Sequence, residues 1–191
     1  QLDENKYNYM YEDDANYSRS IEYYKASLII KEELADKRNI GKTLHNLGKV
    51  YFEMGDYVNA IDHYNKSIDM KNDLNDLVGL NKSILSKAKS YFFSSDYENA
   101  FIEIKEALKL SKDLKRDKLK VEKDRYLGMT YFHQAKYDSS LFYLHKVEKV
   151  YSKSPAKAAT LMPFIASAYF KKGDIVKSEP KFRRIWLEKV D

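Results

Sequence analysis

The feature of this sequence that most restricts its fold is a tyrosine-containing segment that returns about every 40 residues. The four clearest copies are Tyr51–Tyr57, Tyr91–Tyr97, Tyr131–Tyr137 and Tyr169–Ile175, at offsets of 40, 40 and 38. Tyr11 and Tyr17 stand a further 40 residues upstream of the first of them. A fixed period of roughly 20 to 50 residues is typical of chains built from stacked structural units, so we expect a repeat protein.

The residues before each segment predict a first helix with one small residue on its packed face. Leu44, Leu47 and Tyr51 recur at helical spacing and form an apolar stripe. A small side chain stands at the same place in each copy from the second onwards: Gly48, Ala88, Gly128 and Ala166. We expect a neighbouring helix to approach closely at this position.

The segments themselves predict the turn between a first and a second helix. Gly55 and Gly173 stand where the first helix ends, because glycine adopts the left-handed conformation of a helix end without a steric penalty. The next residue is predicted to cap the second helix with a side-chain oxygen. It is Asn16, Asp56, Asp96 and Asp174 in the first, second, third and fifth copies, and Lys136, which has no such oxygen, in the fourth.

These residues together resemble the tetratricopeptide repeat. The residues that carry the resemblance are Leu44, Leu47, Gly48, Tyr51, Gly55, Tyr57, Ala60 and Tyr64. The resemblance implies an all-α fold, a right-handed α-solenoid of stacked antiparallel helix hairpins. The period of 40 exceeds the usual period of about 34 and is similar to the longer variant of bacterial sensor kinases and regulators.

We expect one domain over residues 1–191, divided into five repeats. The predicted repeats are approximately 1–40, 41–80, 81–120, 121–158 and 159–191, the last of them incomplete. The first copy is irregular, because Glu4 and Asn8 stand where the second has Leu44 and Gly48. Pro163 and Pro180 make the fifth copy irregular, since proline bends or interrupts a helix. Pro155 and Thr160 mark two candidate helix starts before Pro163.

The resemblance also implies where a ligand would lie, because first helices line the concave side of such arrays. The candidate peptide-binding residues on this side are Lys42, His45, Asn46, Lys49, Phe52, Lys82, Lys89, Phe92, Arg125, Met129 and Phe132. Phe52, Phe92, Phe132 and Phe170 are predicted to form an aromatic ladder, beside a basic cluster of Lys42, Lys49, Lys82 and Lys89. An alternative interpretation is that the phenylalanines pack between hairpins and the lysines only solvate the rim.

An aromatic strip bordered by ammonium groups suits an extended peptide with apolar side chains and an acidic residue or free carboxylate. The leading hypothesis is therefore a scaffold that binds a protein or peptide. A second is a signal-input segment of a larger bacterial regulator or histidine kinase. A third is nucleic-acid binding by the basic C-terminal half.

Charge is divided unequally along the chain. Residues 1–80 carry 10 basic and 15 acidic side chains, whereas residues 81–191 carry 24 basic and 14 acidic ones. The densest basic stretch comprises Lys109, Lys112, Lys115, Arg116, Lys118, Lys120 and Lys123. Acidic residues interleave with it, which favours a salt-bridged helix face over a track for phosphates. Nucleic-acid binding is therefore the weakest of the three functional hypotheses.

The sequence lacks the residues that several classes of functional site require. The chain has no cysteine, which excludes thiolate zinc sites and cysteine nucleophiles, and it has no phosphate loop or dinucleotide fingerprint. His45, His63, His133 and His145 are scattered and are expected to be surface or rim residues. We expect no catalysis, no cofactor and no metal site. The sequence contains no apolar run long enough to cross a membrane.

The two ends also carry expectations. Because the first residue is Gln1, we expect a piece of a longer or processed protein. At the other end, we expect Trp186 to be exposed or nearly so, and the natural protein either to continue beyond Asp191 or to pack there on another copy as a homodimer. Compartment stays open, with the cytoplasm as the default and the periplasm as the alternative if a signal peptide preceded Gln1.

Overall fold

A computed structural model of the chain describes residues 4–114 and 119–187. Within these ranges every regular element is a helix, so the prediction of an all-α fold is confirmed. The first five helices are α1 (Glu4–Glu33), α2 (Lys37–Glu53), α3 (Tyr57–Asp73), α4 (Leu77–Phe93) and α5 (Tyr97–Leu110). The next five are α6 (Lys120–His133), α7 (Tyr137–Val150), α8 (Pro155–Ala159), α9 (Met162–Lys171) and α10 (Ile175–Leu187). Single 3₁₀ turns follow α5 at Ser111–Asp113 and α7 at Tyr151–Lys153.

The chain divides into two compact units, Gln1–Leu114 and Lys115–Asp191. In the first unit each helix packs on the next, from α1 on α2 to α4 on α5, and α2 also touches α4. In the second unit α6 packs on α7, α7 on α9, and α9 on α10. This is the helix-hairpin arrangement that the repeat predicts. The assignment of residues 1–191 to one domain, with the repeat boundaries given above, stays a prediction.

The short turns between helices repeat a single conformation. A residue with positive φ ends the helix before each of these turns: Ala35 (51°), Gly55 (80°), Asn75 (52°), Ser95 (66°), Ala135 (57°) and Gly173 (79°). The predicted left-handed glycines are thus confirmed. The structure adds that alanine, asparagine and serine adopt the same conformation in the other copies, at a steric cost that glycine avoids.

Aspartates after these turns cap the following helices. The side chains of Asp36, Asp56, Asp76 and Asp96 each accept a hydrogen bond from the backbone N–H three residues later. The predicted caps Asp56 and Asp96 are confirmed, and so is Asp174, whose carboxylate accepts from the Lys177 N–H at 3.1 Å. Lys136 provides no side-chain cap, as expected. The caps Asp36 and Asp76 were not predicted from the sequence. With them, the caps of the first unit recur every 20 residues.

Close helix crossings occur at the predicted small residues. A Cβ added to Gly48 would lie 2.8 Å from the Tyr64 ring and 3.1 Å from the Ala60 carbonyl oxygen. A Cβ added to Gly128 would lie 2.9 Å from the Leu144 side chain. Ala88 and Ala166 are fully buried at the equivalent positions. The small residue therefore sets how near the two helices of a hairpin can lie.

The first copy differs from its prediction. The sequence predicts that Asn16 caps a second helix, but α1 continues without interruption from Glu4 to Glu33, so this prediction is wrong. The physical reason lies in the preceding segment, because Glu4 and Asn8 replace the leucine and glycine that let α2 pack on α3. Without an apolar stripe to bury, the segment gains little from folding back, and Ala15 favours the helix.

The prolines of the fifth copy lie at helix starts and within α10. Pro155 stands in the first turn of α8, as predicted, and Pro163 in the first turn of α9. Pro180 lies inside α10. A core cluster in this unit joins α7 to the residues just before and within α9: Leu141, Leu144, Val147, Leu161, Ile165 and Ala168.

Candidate functional site

Lysines occupy matching positions on the exposed side of α2 and α4. Lys42 and Lys49 are exposed on α2, Lys82 is exposed on α4, and Lys89 on α4 is half-buried. The two lysines of each helix are seven residues apart, which places them on one face about two turns from each other. We call these four residues the lysine patch. All of them belong to the first unit.

The charge of the patch reaches the groups buried beneath it. The pKa of His45 is lowered to about 3, chiefly by burial and in addition by nearby ammonium groups, which repel a further positive charge. These ammonium groups belong to Lys71, Lys82, Lys49 and Lys89, in decreasing order of effect. Burial likewise lowers the pKa of Lys71 to about 8, against the opposing attraction of Asp76, and both Lys82 and Lys42 add to the lowering. Positive charge therefore converges on this side of α2 and α4.

Three members of the patch are not neutralised by direct ion pairs. In residues 4–114 and 119–187, no carboxylate lies within ion-pair distance of Lys42, Lys49 or Lys82. Lys42 does interact electrostatically with Asp36. The pKa of the Asp36 carboxyl group is lowered mainly by the hydrogen bonds that it accepts from Asn39, and the charge of Lys42 adds to that lowering. These ammonium groups remain available to an acidic ligand, because breaking an existing pair would not be needed.

Aromatic rings adjoin the patch at the ends of α2 and α4. The Phe52 ring lies 5.4 Å from that of Phe93 and 5.7 Å from that of Tyr57, centroid to centroid. The Lys89 ammonium lies 5.9 Å from the Phe52 centroid, within the range of a cation–π contact. Phe93 is 47 % exposed, which makes it the most accessible ring of the group. The sequence predicts a ladder through Phe92, yet Phe92 is buried and packs edge-on against Tyr97.

A buried polar network underlies the patch. Ser83 Oγ lies 3.0 Å from His45 Nδ1 and 3.1 Å from Ser67 Oγ. The Lys71 ammonium donates to Ser83 Oγ at 2.7 Å, and Ser67 Oγ donates to the Gly41 carbonyl at 2.7 Å. Since each hydroxyl donates once, Ser83 can donate to Ser67 while it accepts from Lys71 and from the His45 N–H. His45, a predicted surface residue, is thus a buried member of this network.

Sequence reasoning did not find Ser67, Lys71 or Ser83, although a signal existed. Forty residues upstream, Lys31 and Thr43 stand where Lys71 and Ser83 stand. The Lys31 ammonium donates to Thr43 Oγ1 at 2.6 Å. A lysine paired with a hydroxyl twelve residues later, in two successive copies, was a detectable pattern.

Small polar side chains complete the surface between the lysines. Asn46 on α2 and Ser86 on α4 stand at equivalent positions and are half-buried. Ser86 hydrogen-bonds to the hydroxyl of the buried Tyr64, whose pKa is raised chiefly by burial. An amide and a hydroxyl at these places can donate hydrogen bonds to a peptide backbone or carboxylate.

The predicted binding residues of the second unit are packed among their neighbours. The Arg125 guanidinium lies 4.7 Å from the Tyr126 ring centroid. Met129 contacts the core cluster between α7 and α9, and the Phe132 ring lies 5.5 Å from that of Phe164. Phe170 is exposed on α9. The structure thus groups Lys42, Asn46, Lys49, Phe52, Lys82 and Lys89 on one surface, whereas Arg125, Met129 and Phe132 belong to the other unit.

Other predicted features fall partly outside the described residues. Lys115, Arg116 and Lys118 of the basic stretch lie outside them, as do Gln1, Asp191 and the side chain of Trp186. Lys123 of the same stretch is fully buried, so it is not part of an exposed track. Among the described residues, no group of three or more histidine or acidic side chains is placed to hold a metal ion. No described helix has the length and hydropathy of a membrane span.

Known proteins are similar to this chain in its repeat and its fold. Residues 9–73 match the family model described as tetratricopeptide repeat. BtubC (BKLC) from P. vanneervenii superposes with a TM-score of 0.80 and 15 % identity, over 94 % of this chain and 75 % of that chain. No curated protein sequence matches the chain.

Two further solved structures come from larger proteins. The Rap conjugation gene regulator of plasmid pLS20, in complex with the Phr* peptide, has a TM-score of 0.65 and 15 % identity, over 89 % of this chain and 48 % of its own. The STAND protein PH0952 from Pyrococcus horikoshii, with a tetratricopeptide repeat sensor, has a TM-score of 0.72 and 18 % identity, over 89 % of this chain and 27 % of its own. Identities this low show a shared fold alone.

Proposed function

We propose that this chain is a protein-interaction scaffold that binds an acidic, extended peptide on α2 and α4. The match of residues 9–73 to the tetratricopeptide-repeat model and the fold shared with repeat proteins support the proposal. Folds of this kind are generally non-catalytic and present extended binding surfaces. The proposed contact residues are the lysine patch, Asn46, Ser86 and the exposed ring of Phe93. The partner is a protein segment with at least one acidic group next to an apolar side chain.

The observation that carries the proposal is the convergence of positive charge beside accessible aromatic rings. Four ammonium groups occupy one side of α2 and α4, and three of them have no ion-pair partner among the described residues. Phe52 and Phe93 offer an apolar contact at the edge of that charge. Carboxylates suit the first feature and a leucine or aromatic side chain suits the second.

A charge-reversal experiment tests the proposal. Peptides selected from a random displayed library with the natural chain should be rich in acidic and apolar residues. Lys49→Glu combined with Lys82→Glu should weaken binding of the selected peptides at least about tenfold, because each lost charge contact is worth roughly 1 kcal/mol or more. Fluorescence anisotropy with labelled peptide measures the affinity, and circular dichroism checks that the variant is folded.

The matched control changes the same net charge elsewhere in the first unit. Lys105 and Lys109 are exposed on α5, away from the patch, so Lys105→Glu with Lys109→Glu should leave the affinity within about twofold. Equal weakening by both double variants would mean that only overall charge attracts the peptide. Phe93→Ala should also weaken binding, with a smaller loss of stability than truncation of a fully buried ring, since Phe93 is 47 % exposed.

A second candidate function is signal input to an attached regulator. It is favoured by the likeness to PH0952, whose repeats are described as a sensor, and to the Rap regulator bound to a peptide. In this case the same peptide would change an output activity of the longer protein. Sequencing the gene on both sides of this segment is the direct test, and an output domain encoded in the same reading frame would favour this candidate over a stand-alone scaffold.

A further inference from the structure

The contact side chains of α2 and α4 occur in the same order along both helices. Each helix has an exposed lysine in its first half, Lys42 or Lys82, and a second lysine of the patch seven residues later. The two helices run parallel, because each is joined to α3 by a short turn and packs antiparallel to it, and they touch each other. The patch therefore consists of a first pair, Lys42 with Lys82, and a second pair, Lys49 with Lys89.

The two pairs are separated by a fixed step with polar side chains at its middle. Seven residues of α-helix rise about 10.5 Å, so the second pair lies about that far from the first along the helix axes. Asn46 and Ser86 are half-buried and stand four residues after the first pair and three before the second. An amide and a hydroxyl at this place can donate hydrogen bonds to the backbone of a ligand whose side chains reach both pairs.

Aromatic rings follow the second pair in the same direction. Phe52 stands three residues after Lys49 and Phe93 four residues after Lys89, which is about 5 Å further along the helices. The two rings lie 5.4 Å apart, and the Lys89 ammonium is 5.9 Å from the Phe52 centroid. Glu53 is exposed at the last residue of α2. The basic surface therefore changes to an apolar one and then ends at a carboxylate.

The step between the pairs selects one conformation of an extended ligand. A polyproline II chain has three residues per turn and rises about 3.1 Å per residue, so side chains three residues apart point the same way at about 9.3 Å. Side chains on one face of a β-strand are about 7 Å or 13 Å apart, which matches the step less well. A helical ligand matches it at seven residues, but its backbone groups are already paired and would leave Asn46 and Ser86 without a partner.

We propose that the partner is a polyproline-II-like segment with two acidic residues three positions apart and an apolar residue one or two positions beyond the second of them. This inference rests on the proposed function, because it specifies the peptide that α2 and α4 bind. One acidic side chain lies between the lysines of the first pair and the other between those of the second, while the apolar side chain contacts Phe93. The residue after the apolar one is not acidic, because Glu53 repels it.

The first test varies the spacing in synthetic peptides of constant length and composition. Two glutamates stand one, three or seven residues apart in an alanine and proline background, with a leucine next to one of them, and both chain directions are made. Fluorescence anisotropy should show that the three-residue spacing binds at least about tenfold more tightly in one direction, because only this spacing lets both carboxylates reach a pair of lysines.

The alternative results of this test separate the two proposals. Equal affinities at all three spacings would overturn this inference and leave the acidic-peptide scaffold standing. A preference for the seven-residue spacing would indicate a helical ligand and would overturn it as well. If none of the acidic peptides binds, both the inference and the proposed function are wrong.

The second test assigns each glutamate to one pair of lysines. Lys42→Ala and Lys49→Ala each remove one exposed ammonium, and circular dichroism checks that both variants are folded. In double-mutant cycles with glutamate-to-glutamine peptides, Lys42→Ala should couple at least about threefold more strongly with the glutamate far from leucine, and Lys49→Ala with the near one. Equal coupling of both lysines to both glutamates would show a diffuse attraction of charge and would overturn the proposed order.

The third test concerns the end of the surface. A third glutamate placed after the leucine should weaken binding several-fold, and Glu53→Gln should recover most of that loss while changing the affinity of the original peptide less than about twofold. Glu98→Gln is the matched control, because Glu98 is exposed on α5 and its loss changes the net charge equally. Equal recovery by both variants would mean that Glu53 does not border the site, which contradicts the proposal.

Discussion

The helices α1 and α3 have similar register and different surroundings. Both pack forward on the following helix, and both do so with a lysine that donates to a hydroxyl, Lys31 to Thr43 and Lys71 to Ser83. Backward packing differs: α2 covers α3, whereas no described helix precedes α1 to cover it in the same way. The comparison teaches that the contact between hairpins needs only the next helix, while the contact within a hairpin depends on whether its turn forms.

The largest expected difference in stability between the two helices comes from truncating the tyrosine that each has at the equivalent position. Tyr64→Ala should lower the free energy of unfolding by about 3–5 kcal/mol, because it empties a buried site between Gly48 and His45. Tyr24→Ala in α1 should cost less than about 1 kcal/mol in the natural chain at low protein concentration, because Tyr24 is only half-buried there. Urea unfolding followed by circular dichroism measures both. Equal costs would show that α1 is covered after all.

The second contrast concerns the buried lysine. The pKa of Lys71 is lowered to about 8 by burial, so the unfolded chain binds more protons than the folded chain between about pH 8 and pH 10.5. Stability should therefore rise with pH across that window, by on the order of 3 kcal/mol for one group. Lys71→Met should remove this rise, and Lys31→Met, which leaves Lys71 intact, should keep it. Urea midpoints at about pH 7.5, 9 and 10 provide the measurement.

The third contrast concerns the close crossing of α2 and α3. Gly48→Ala adds a Cβ 2.8 Å from the Tyr64 ring and 3.1 Å from a backbone oxygen, so it should cost about 2 kcal/mol of stability. Asn8→Ala, at the same place in the first copy, should change the stability of the chain by less than about 0.5 kcal/mol. Thermal unfolding at fixed protein concentration compares the two. A harmless Gly48→Ala would mean that the helices can separate without loss.

The smallest expected contrast is at the caps. Asp56 accepts from the Asn59 N–H at 3.1 Å, so Asp56→Ala should cost about 1 kcal/mol. Asn16 lies inside α1, where alanine is the better helix former, so Asn16→Ala should be neutral or stabilise by a few tenths of a kcal/mol. Chemical unfolding can measure this difference if replicate free energies of unfolding agree to within a fraction of the energy of one cap. Destabilisation by Asn16→Ala would indicate that residue 16 caps a separate helix in solution.

Most of the fold could be predicted from the sequence, because local chemistry determines it. The glycines at positive φ, the aspartate caps after them and the small residues at crossings act within one hairpin, and the pattern recurs at a fixed period. Asp36 and Asp76 were missed since they cap first helices, whose turns contain Ala35 and Asn75 instead of glycine. The continuity of α1 was missed because Ala15 accepts either conformation.

The candidate site was predicted less completely. The resemblance to the tetratricopeptide repeat and the 40-residue period together predicted that Lys42, Lys49, Lys82 and Lys89 lie close to one another, since equal steps along equivalent helices bring equivalent positions side by side. His45 and Phe92 were predicted to line the binding surface but are buried, although the residues next to them in sequence are more exposed. The exposed face of α2 and α4 is therefore narrower than the sequence pattern indicates. The Ser83 network required three helices at once, so no single periodic stripe contained it.

The sequence by itself determined the repeat, the hairpin turns and the resemblance to the tetratricopeptide repeat, because each depends on residues near one another in the chain. The tertiary structure decided which aromatic ring is accessible, which polar groups are buried beneath the lysines, and that α1 is one continuous helix that packs on α2. Those outcomes depend on how closely three helices approach and on whether a segment gains more by folding back than by continuing. Neither quantity can be read from a single stretch of sequence, since each is a difference between competing packings.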